Sequence, residues 1–305
     1  MRRKINRLAK CLLAWGLAVG LGGLSGVAVA PPAAAQHAGP ALWQVTGPKG
    51  SLYVMGSVHV LTESDKWMNS RIEAAFNSAT CLALEIDLAS ITPQDIAARM
   101  QMAGLYDPKG GGLKAHVSTA TYRRLMTKTA QMAVSPASLD RFRPWLVGLV
   151  LTSILTQAQG YEEQYGVDYT FMMRARAKHL PIVGLETLED QVRVLSFDDG
   201  ESDDKTLNDV LDDLDRSPGL IRKLSRAWLK GDMETIAKKV AEEFADRPKD
   251  YDRLIAQRNR KWAPELARML KRGKHCFVVV GAGHLVGKAS VLTLLKAAGY
   301  TVARQ

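Results

Sequence analysis

Four residues that can bind a metal ion or move a proton each end an apolar run of the sequence. His59 ends SLYVMGSVH, Glu85 ends CLALE, Glu186 ends LPIVGLE and His284 ends CFVVVGAGH. Neutral imidazoles and carboxylates are the usual donors for zinc and for harder divalent metals. Two histidines and one glutamate leave coordination positions open for water, which a hydrolytic metal site requires. We predict that His59, Glu85 and His284 bind the metal and that Glu186 is the general base; the reverse roles of the two glutamates stay open.

The apolar runs predict the elements that position these residues. Each run is short, rich in Val, Ile and Leu, and followed by polar, helix-like sequence, which is typical of strands in a mostly parallel sheet covered by helices. In open α/β sheets, ligands bind beyond the carboxyl ends of the strands. The motifs GSVH and GAGH both carry a glycine three residues before the histidine, where we expect a tight turn off the strand. These echoes also suggest pseudo-duplicated halves.

Structural roles for the same residues are the alternative. A single histidine after a strand is more often structural, but two histidines in the same local motif favour a site. Glu85 and Glu186 follow apolar strands, and burying them is costly unless they are paired or bind a metal. Arg258 could pair with either glutamate without any catalysis. Asp168, in the segment YGVD, either supports the site or caps a helix, and the sequence leaves both roles open.

The N-terminus predicts export. MRRKINRLAK carries only positive charge, and the apolar stretch Cys11 to Ala30 is interrupted by glycines, so residues 1–35 are interpreted as a signal peptide cleaved after Ala35. A membrane anchor needs about 20 continuously apolar residues, so we expect no stable membrane span after cleavage. The remaining residues, 36–305, are long enough for one α/β domain. The protein is predicted to be periplasmic or secreted.

Charge and cysteine content narrow the function classes further. Five of the 41 Lys and Arg residues lie in the leader, so 36 remain against 31 acidic residues. Basic and acidic residues are interleaved and no nucleic-acid motif is present, so we expect no nucleic-acid partner. Cys81 and Cys276 both begin apolar strands; they either form a disulfide in an oxidising compartment or remain buried thiols. Trp145 to Leu155 is too short to span a membrane and is predicted to be a core helix.

Several motifs in order along the chain carry a resemblance to a known family. They are LWQV, GSVH, LALEID, RPW, YGVD, LPIVGLET with Gln191 shortly after, QRNRKWA and VVVGAGHLVG. The chain resembles the TraB/GumN family, which is related to the Tiki-type metalloproteases, and is most similar in style to exported bacterial GumN-like members. The resemblance implies a Tiki/erythromycin-esterase-like/ChaN-like architecture and a metal-dependent peptidase with manganese or cobalt. By motif, it assigns His59, His284, Glu85, Glu186, Arg258 and Asn259 to the site.

These observations lead to one expected function and two alternatives. We expect an exported metal-dependent hydrolase that acts on a peptide or small-molecule substrate and uses manganese, cobalt or zinc. In this mechanism Arg258 stabilises the oxyanion, next to Asn259. The first alternative is a binding protein that holds haem or a peptide signal without turnover. The second is a metal-independent, esterase-like hydrolase in which His59 is the general base.

Overall fold

The computed structural model describes residues 39–196 and 200–305, and it contains a six-stranded mixed sheet. The predicted signal peptide lies outside these residues. The strand order is β4-β3-β5-β2-β1-β6. The strands are β1 (Leu42–Thr46), β2 (Ser51–Ser57), β3 (Cys81–Leu84), β4 (Ile182–Gly184), β5 (His275–Gly281) and β6 (Thr301–Arg304). With helices on both faces, the prediction of an α/β fold is confirmed.

The strands that precede the four candidate residues form the parallel part of the sheet. β5 pairs in parallel with β2 and with β3, and β3 pairs in parallel with β4. β1 is antiparallel to β2 and to β6, so the hairpin at the start of the domain adds an antiparallel edge. Because parallel strands end at the same edge, all four candidate residues leave the sheet on one side.

Helices cover the sheet and form an additional helical layer. They are α1 (Ser70–Asn77), α2 (Pro93–Gly104), α3 (Leu113–His116), α4 (Thr119–Gln131), α5 (Pro136–Leu139), α6 (Pro144–Gln157), α7 (Val167–Ala177), α8 (Leu188–Leu195), α9 (Asp203–Leu229), α10 (Met233–Phe244), α11 (Pro248–Tyr251), α12 (Gln257–Lys271) and α13 (Val291–Ala297). A π-helical turn, Asp252–Ala256, joins α11 to α12. Within the described residues, none of the helices is both long and apolar enough to cross a membrane.

Two apolar layers enclose the sheet. On one face, Phe277 of β5 contacts Phe76 of α1 and Phe171 of α7. On the other face, Val278 belongs to a buried cluster with Trp262 of α12. A third cluster joins α2, α4, α6 and α9, and the buried side of α6 confirms that Trp145 to Leu155 lies in a core helix.

A disulfide links the two strands at the centre of the parallel region. Cys81 of β3 and Cys276 of β5 are register partners, with Cα atoms 4.6 Å apart, and their sulfurs are bonded. The structure therefore has the disulfide rather than two buried thiols. The bond joins positions 195 residues apart in sequence and ties the strand that leads to Glu85 to the strand that leads to His284.

Candidate functional site

The ends of β2 and β5 bring the two G-x-x-H motifs side by side. Gly56 is the register partner of Val280 and Ser57 that of Gly281, so the two motifs begin one register position apart. A Cβ atom on Gly56 would lie 2.9 Å from the Cα of Ala282. The glycine is thus required for close approach, not for the tight turn expected from the sequence, since neither Gly56 nor Gly281 has a positive φ.

Glu85 and Glu186 lie next to each other directly after β3 and β4. The backbone N–H of Glu186 donates to the carbonyl oxygen of Glu85 at 2.8 Å, which extends the parallel pairing beyond the strands. Both side chains are buried, with 4% and 7% of the residue surface exposed. Two buried carboxylates need a compensating charge, and α12 supplies it through Arg258.

Arg258 is the centre of a buried cluster with Glu85, Glu186 and His284. Its Nε and Nη2 donate to the two oxygens of Glu186 at 3.0 and 2.7 Å, and Nη2 also donates to Glu85. Its Nη1 donates to the carbonyl oxygen of Leu254 at 3.2 Å and to Nε2 of His284 at 3.0 Å. All five N–H bonds of the guanidinium are therefore used. Stabilising an oxyanion, the role predicted for Arg258, requires one of these bonds to break.

The two glutamates share one guanidinium, and their pKa values move apart. Burial works against ionisation of Glu85, but Arg258, the two histidines and the N–H of Gly281 at 2.7 Å outweigh it and lower its pKa. Burial raises the pKa of Glu186, and Arg258 offsets only part of that effect while the Glu85 charge adds to it. One positive charge cannot fully stabilise two adjacent carboxylates. Glu85 is the ionised member, and Glu186 is the one that takes up a proton more readily.

His284 is neutral, and its tautomer is fixed by its neighbours. Burial, followed by the Arg258 charge, lowers the pKa of His284 to about 3. Its Nε2 accepts from Arg258, so Nδ1 carries the proton and donates to Oδ1 of Asn259 at 2.7 Å. The Asn259 amide nitrogen donates to the carbonyl oxygens of His284 and Ala289, which sets the orientation of the amide. Asn259 therefore positions His284.

His59 pairs with a carboxylate instead. Its Nδ1 lies 2.6 Å from Oδ2 of Asp168, in the first turn of α7. Burial lowers the pKa of His59, but Asp168, with smaller contributions from Glu85 and Glu163, more than compensates, and the net pKa is raised. Nε2 of His59 is buried and has no hydrogen-bond partner. The N-cap of α7 is Gly166, so Asp168 does not cap the helix and instead orients His59.

A close backbone contact places Asp168 beside His59. The N–H of Val167 donates to the carbonyl oxygen of Val58 at 3.1 Å. A Cβ atom on Gly166 would lie 2.0 Å from the carbonyl oxygen of His59, so only glycine fits there. The start of α7 is thereby fixed against the segment that follows β2.

The predicted metal ligands do not form a metal-binding group in this arrangement. In residues 39–196 and 200–305, no three His, Cys, Asp or Glu side chains converge closely enough to hold an ion. Glu85 and His284 are near each other, at 3.8 Å between Oε1 and Nε2, but the guanidinium of Arg258 donates to both. As arranged, these donors do not fit a divalent metal, because a cationic side chain already occupies their shared side.

Other buried polar atoms near the strand ends also have no hydrogen-bond partner. They include Oγ of Ser57, Nε1 of Trp262, and both amide atoms of Gln191. Trp262 contacts His284, with ring centroids 4.5 Å apart, and lies under the Arg258 guanidinium. The sequence assigned no role to Ser57 or Gln191. Their signal was their place in the motifs, since Ser57 lies inside GSVH and Gln191 shortly follows LPIVGLET.

Fold and site together define an α/β protein with paired G-x-x-H histidines and a buried Glu–Arg–Glu cluster at the carboxyl edge of its parallel strands. The sequence profile of the TraB/PrgY/gumN family matches residues 41–304. The chain belongs to this family, as the motif resemblance predicted.

Sequence similarity to other proteins extends over most of the chain. The uncharacterized protein YbaP of Escherichia coli (strain K12) is 26% identical over 248 residues, which cover 80% of this chain and 87% of the relative. An uncharacterized protein of Treponema pallidum (strain Nichols) is 26% identical over 283 residues, covering 87% of this chain and 82% of the relative. No solved structure matches the chain.

Proposed function

We propose that this protein is an exported hydrolase of peptide or ester bonds in which His59 is the general base. One observation carries the proposal: His59 is held by the Asp168 carboxylate through Nδ1, while its buried Nε2 has no partner. A base oriented by a third group, with its other nitrogen free to take a proton, is the arrangement that activates a nucleophile in many hydrolases. The metal-dependent form of the reaction stays a prediction.

The proposed chemistry needs only a water molecule and the substrate. Nε2 of His59 removes a proton from water as the water oxygen bonds to the substrate carbonyl carbon. Asp168 accepts the Nδ1 proton in a hydrogen bond and stabilises the imidazolium that forms. The tetrahedral intermediate then collapses, and the Nε2 proton passes to the departing amine or alcohol. Nε2 is shielded from solvent, so this reaction requires the covering segments to move aside for the substrate.

The Arg258 cluster supports this chemistry by positioning. It joins the ends of β3, β4 and β5 through Glu85, Glu186 and His284. His284 cannot act as a base in this arrangement, because its Nε2 lone pair accepts from Arg258. Glu186, with its raised pKa, is the member of the cluster best suited to hold and release a proton.

A substrate panel tests the proposal. The mature protein and the variants His59→Ala and Asp168→Asn are assayed with fluorogenic peptide and ester substrates. We expect His59→Ala to lower kcat by about 10²- to 10⁴-fold, the usual contribution of a general base. His275→Ala is the matched control, because the imidazole of this exposed histidine at the start of β5 contacts Ser51 at the surface and no residue of the site.

The same preparation separates the alternatives. Activity that persists with a chelator and disappears in His59→Ala supports the proposal. Activity lost with the chelator and restored by manganese, cobalt or zinc favours the metal-dependent form and requires Arg258 to move. A Soret band without turnover of any substrate favours the haem-binding alternative and contradicts the hydrolase.

A further inference from the structure

Gln191 has a buried side-chain amide whose donor and acceptor are both unused. Only 2% of the residue surface is exposed, and neither Nε2 nor Oε1 has a hydrogen-bond partner. A buried amide without partners is unfavourable, and native proteins contain few such groups. Met or Leu would fill a similar volume without this cost, so a purely structural role does not account for Gln191.

The helix that carries Gln191 adjoins the segments of the proposed site. It lies in α8, which begins directly after Glu186 with a Thr187–Asp190 capping box. Only Leu188 and Gln191 are fully buried in this helix. Leu188 belongs to the same apolar cluster as Ile86, the residue after Glu85, so α8 and the segment that follows β3 contribute to one buried layer.

α8 is also tied to the segment that carries Arg258. The carboxylate of Asp190 pairs with Lys261, and the carbonyl oxygen of Val194 accepts from Arg253. Asp190 and Val194 flank Gln191 in α8. Their partners, Lys261 and Arg253, flank Arg258 in the π-helical turn and α12. Gln191 is therefore buried on a helix that directly follows Glu186 and is tied to the segment that carries Arg258.

We infer that Gln191 is a specificity-determining residue of this site and that its side-chain amide pairs with the backbone N–H and C=O of one residue of a peptide substrate. The inference rests on the proposed function for the location of the substrate. A primary amide can donate Nε2–H to a carbonyl oxygen and accept an N–H at Oε1, which matches the C=O and the N–H that one residue of an extended peptide directs to the same side. An ester offers the carbonyl oxygen but no N–H, so it leaves Oε1 buried and unpaired.

Discrimination of this kind is strong because the unpaired group belongs to the protein. A site built to hydrogen-bond an N–H rejects the analogue that lacks it, since the buried acceptor is left without a partner. Leaving the buried Oε1 without a partner should weaken the affinity for the ester by about 10- to 100-fold relative to the peptide. Gln191 thus favours peptides over matched esters, whereas His59 alone would attack either.

Binding to an inactive variant tests the inference independently of turnover. His59→Ala and His59→Ala/Gln191→Met are titrated calorimetrically with N-acetyl dipeptide methylamides that cover the range of side chains. The matched probes are the corresponding depsipeptides, in which oxygen replaces the central N–H. We expect His59→Ala to bind its best peptide about 10- to 100-fold more tightly than the depsipeptide. In the double variant this preference falls close to one.

A stability measurement accompanies the titration. Because Gln191 has no partner to lose in the free protein, Gln191→Met should leave the free energy of unfolding unchanged or raise it. Gln131→Met, at the exposed end of α4, is the control and should alter neither binding nor the peptide preference. A clear loss of stability in Gln191→Met would indicate a structural role and overturn the inference.

The outcomes distinguish this inference from the proposed function. A peptide preference that survives Gln191→Met, or a lack of binding by every peptide probe, overturns the role of Gln191. If the wild-type protein hydrolyses substrates but the preference is independent of Gln191, only the inference fails. If peptides bind through Gln191 but nothing is hydrolysed, only the hydrolase proposal fails.

Discussion

The two histidines of the G-x-x-H motifs follow adjacent parallel strands, and yet their pKa values shift in opposite directions and only one has a free ring nitrogen. Each uses Nδ1 to contact an oxygen of a helix residue, which is Asp168 for His59 and Asn259 for His284. Nε2 of His59 has no partner, whereas Nε2 of His284 accepts from Arg258. The pKa of His59 is raised by Asp168 against the effect of burial, and the pKa of His284 is lowered by burial and by Arg258.

The difference shows that the motif fixes the position of a histidine but not its chemistry. A carboxylate stabilises an imidazolium, while a carboxamide of nearly the same shape only orients a neutral ring. One site edge therefore combines a histidine that can cycle a proton with a histidine that stays neutral and rigid. Changes to the partners of the two rings should affect the protein to different extents.

The largest effect on stability is expected from Arg258→Ala. Glu85 and Glu186 would then lie buried without a compensating charge, and breaking a buried pair in this way costs about 3–5 kcal/mol. Protonation of the glutamates recovers part of this loss at low pH. The difference in unfolding free energy between wild type and variant should therefore be smaller at pH 5 than at pH 7.5. Urea unfolding monitored by tryptophan fluorescence at both pH values measures the change.

Arg260→Ala is the matched control for Arg258→Ala. Arg260 lies two residues further along α12 and pairs with Asp252 at the surface. Exposed ion pairs contribute about 0–1 kcal/mol, so Arg260→Ala should change the free energy of unfolding very little. Similar losses in the two variants would mean that the glutamates do not depend on Arg258.

A smaller effect is expected in the pH dependence of stability, where the two histidines act with opposite sign. The pKa of His284 is about 3 in the folded protein and about 6.5 in an unfolded chain. The unfolded state therefore binds the extra proton, and stability falls as the pH drops from about 6.5, by up to about 1.4 kcal/mol per pH unit for one proton. For His59, whose pKa is raised, the stabilising contribution is present below about pH 6.5 and is lost as the pH rises through the raised pKa.

The variant His284→Gln tests this assignment. Glutamine retains a donor and an acceptor but cannot titrate, so the unfolding free energy should fall less steeply between pH 6.5 and 4.5 than in the wild type. His116→Gln, which changes a half-exposed histidine, is the control. An unchanged acid slope in His284→Gln would contradict a neutral, buried His284.

The sequence predicted what local patterns determine. Apolar runs ending in His59, Glu85, Glu186 and His284 indicated the parallel strands, and their common edge follows from that topology. The sequence also offered an ion pair between Arg258 and a glutamate as the alternative to metal binding. It did not show that one guanidinium would serve both glutamates and His284, because this depends on how the helix carrying Arg258 crosses the sheet.

The protonation of the histidines was equally inaccessible from the motifs. Asp168 lies 109 residues from His59, and its role depends on the close contact that Gly166 permits with the His59 backbone. The local sequence around Asp168 is compatible with a helix cap and with a site residue, and only the tertiary contact with His59 distinguishes the two roles. A role for Gln191 was not predicted for a related reason, since the lack of hydrogen-bond partners around an amide depends on its tertiary surroundings.

The smallest stability effect is expected from Asp168→Asn, which makes the surroundings of His59 resemble those of His284. Asparagine keeps an oxygen for the Nδ1 proton, and a neutral imidazole needs no counter-charge. In Arg258→Ala, by contrast, two adjacent buried carboxyl groups lose the guanidinium that they share. The loss in Asp168→Asn should be about 1 kcal/mol or less, and the pKa of His59, followed by NMR titration, should fall. A loss as large as that of Arg258→Ala, or an unchanged pKa of His59, would contradict the assignment of the raised pKa to Asp168.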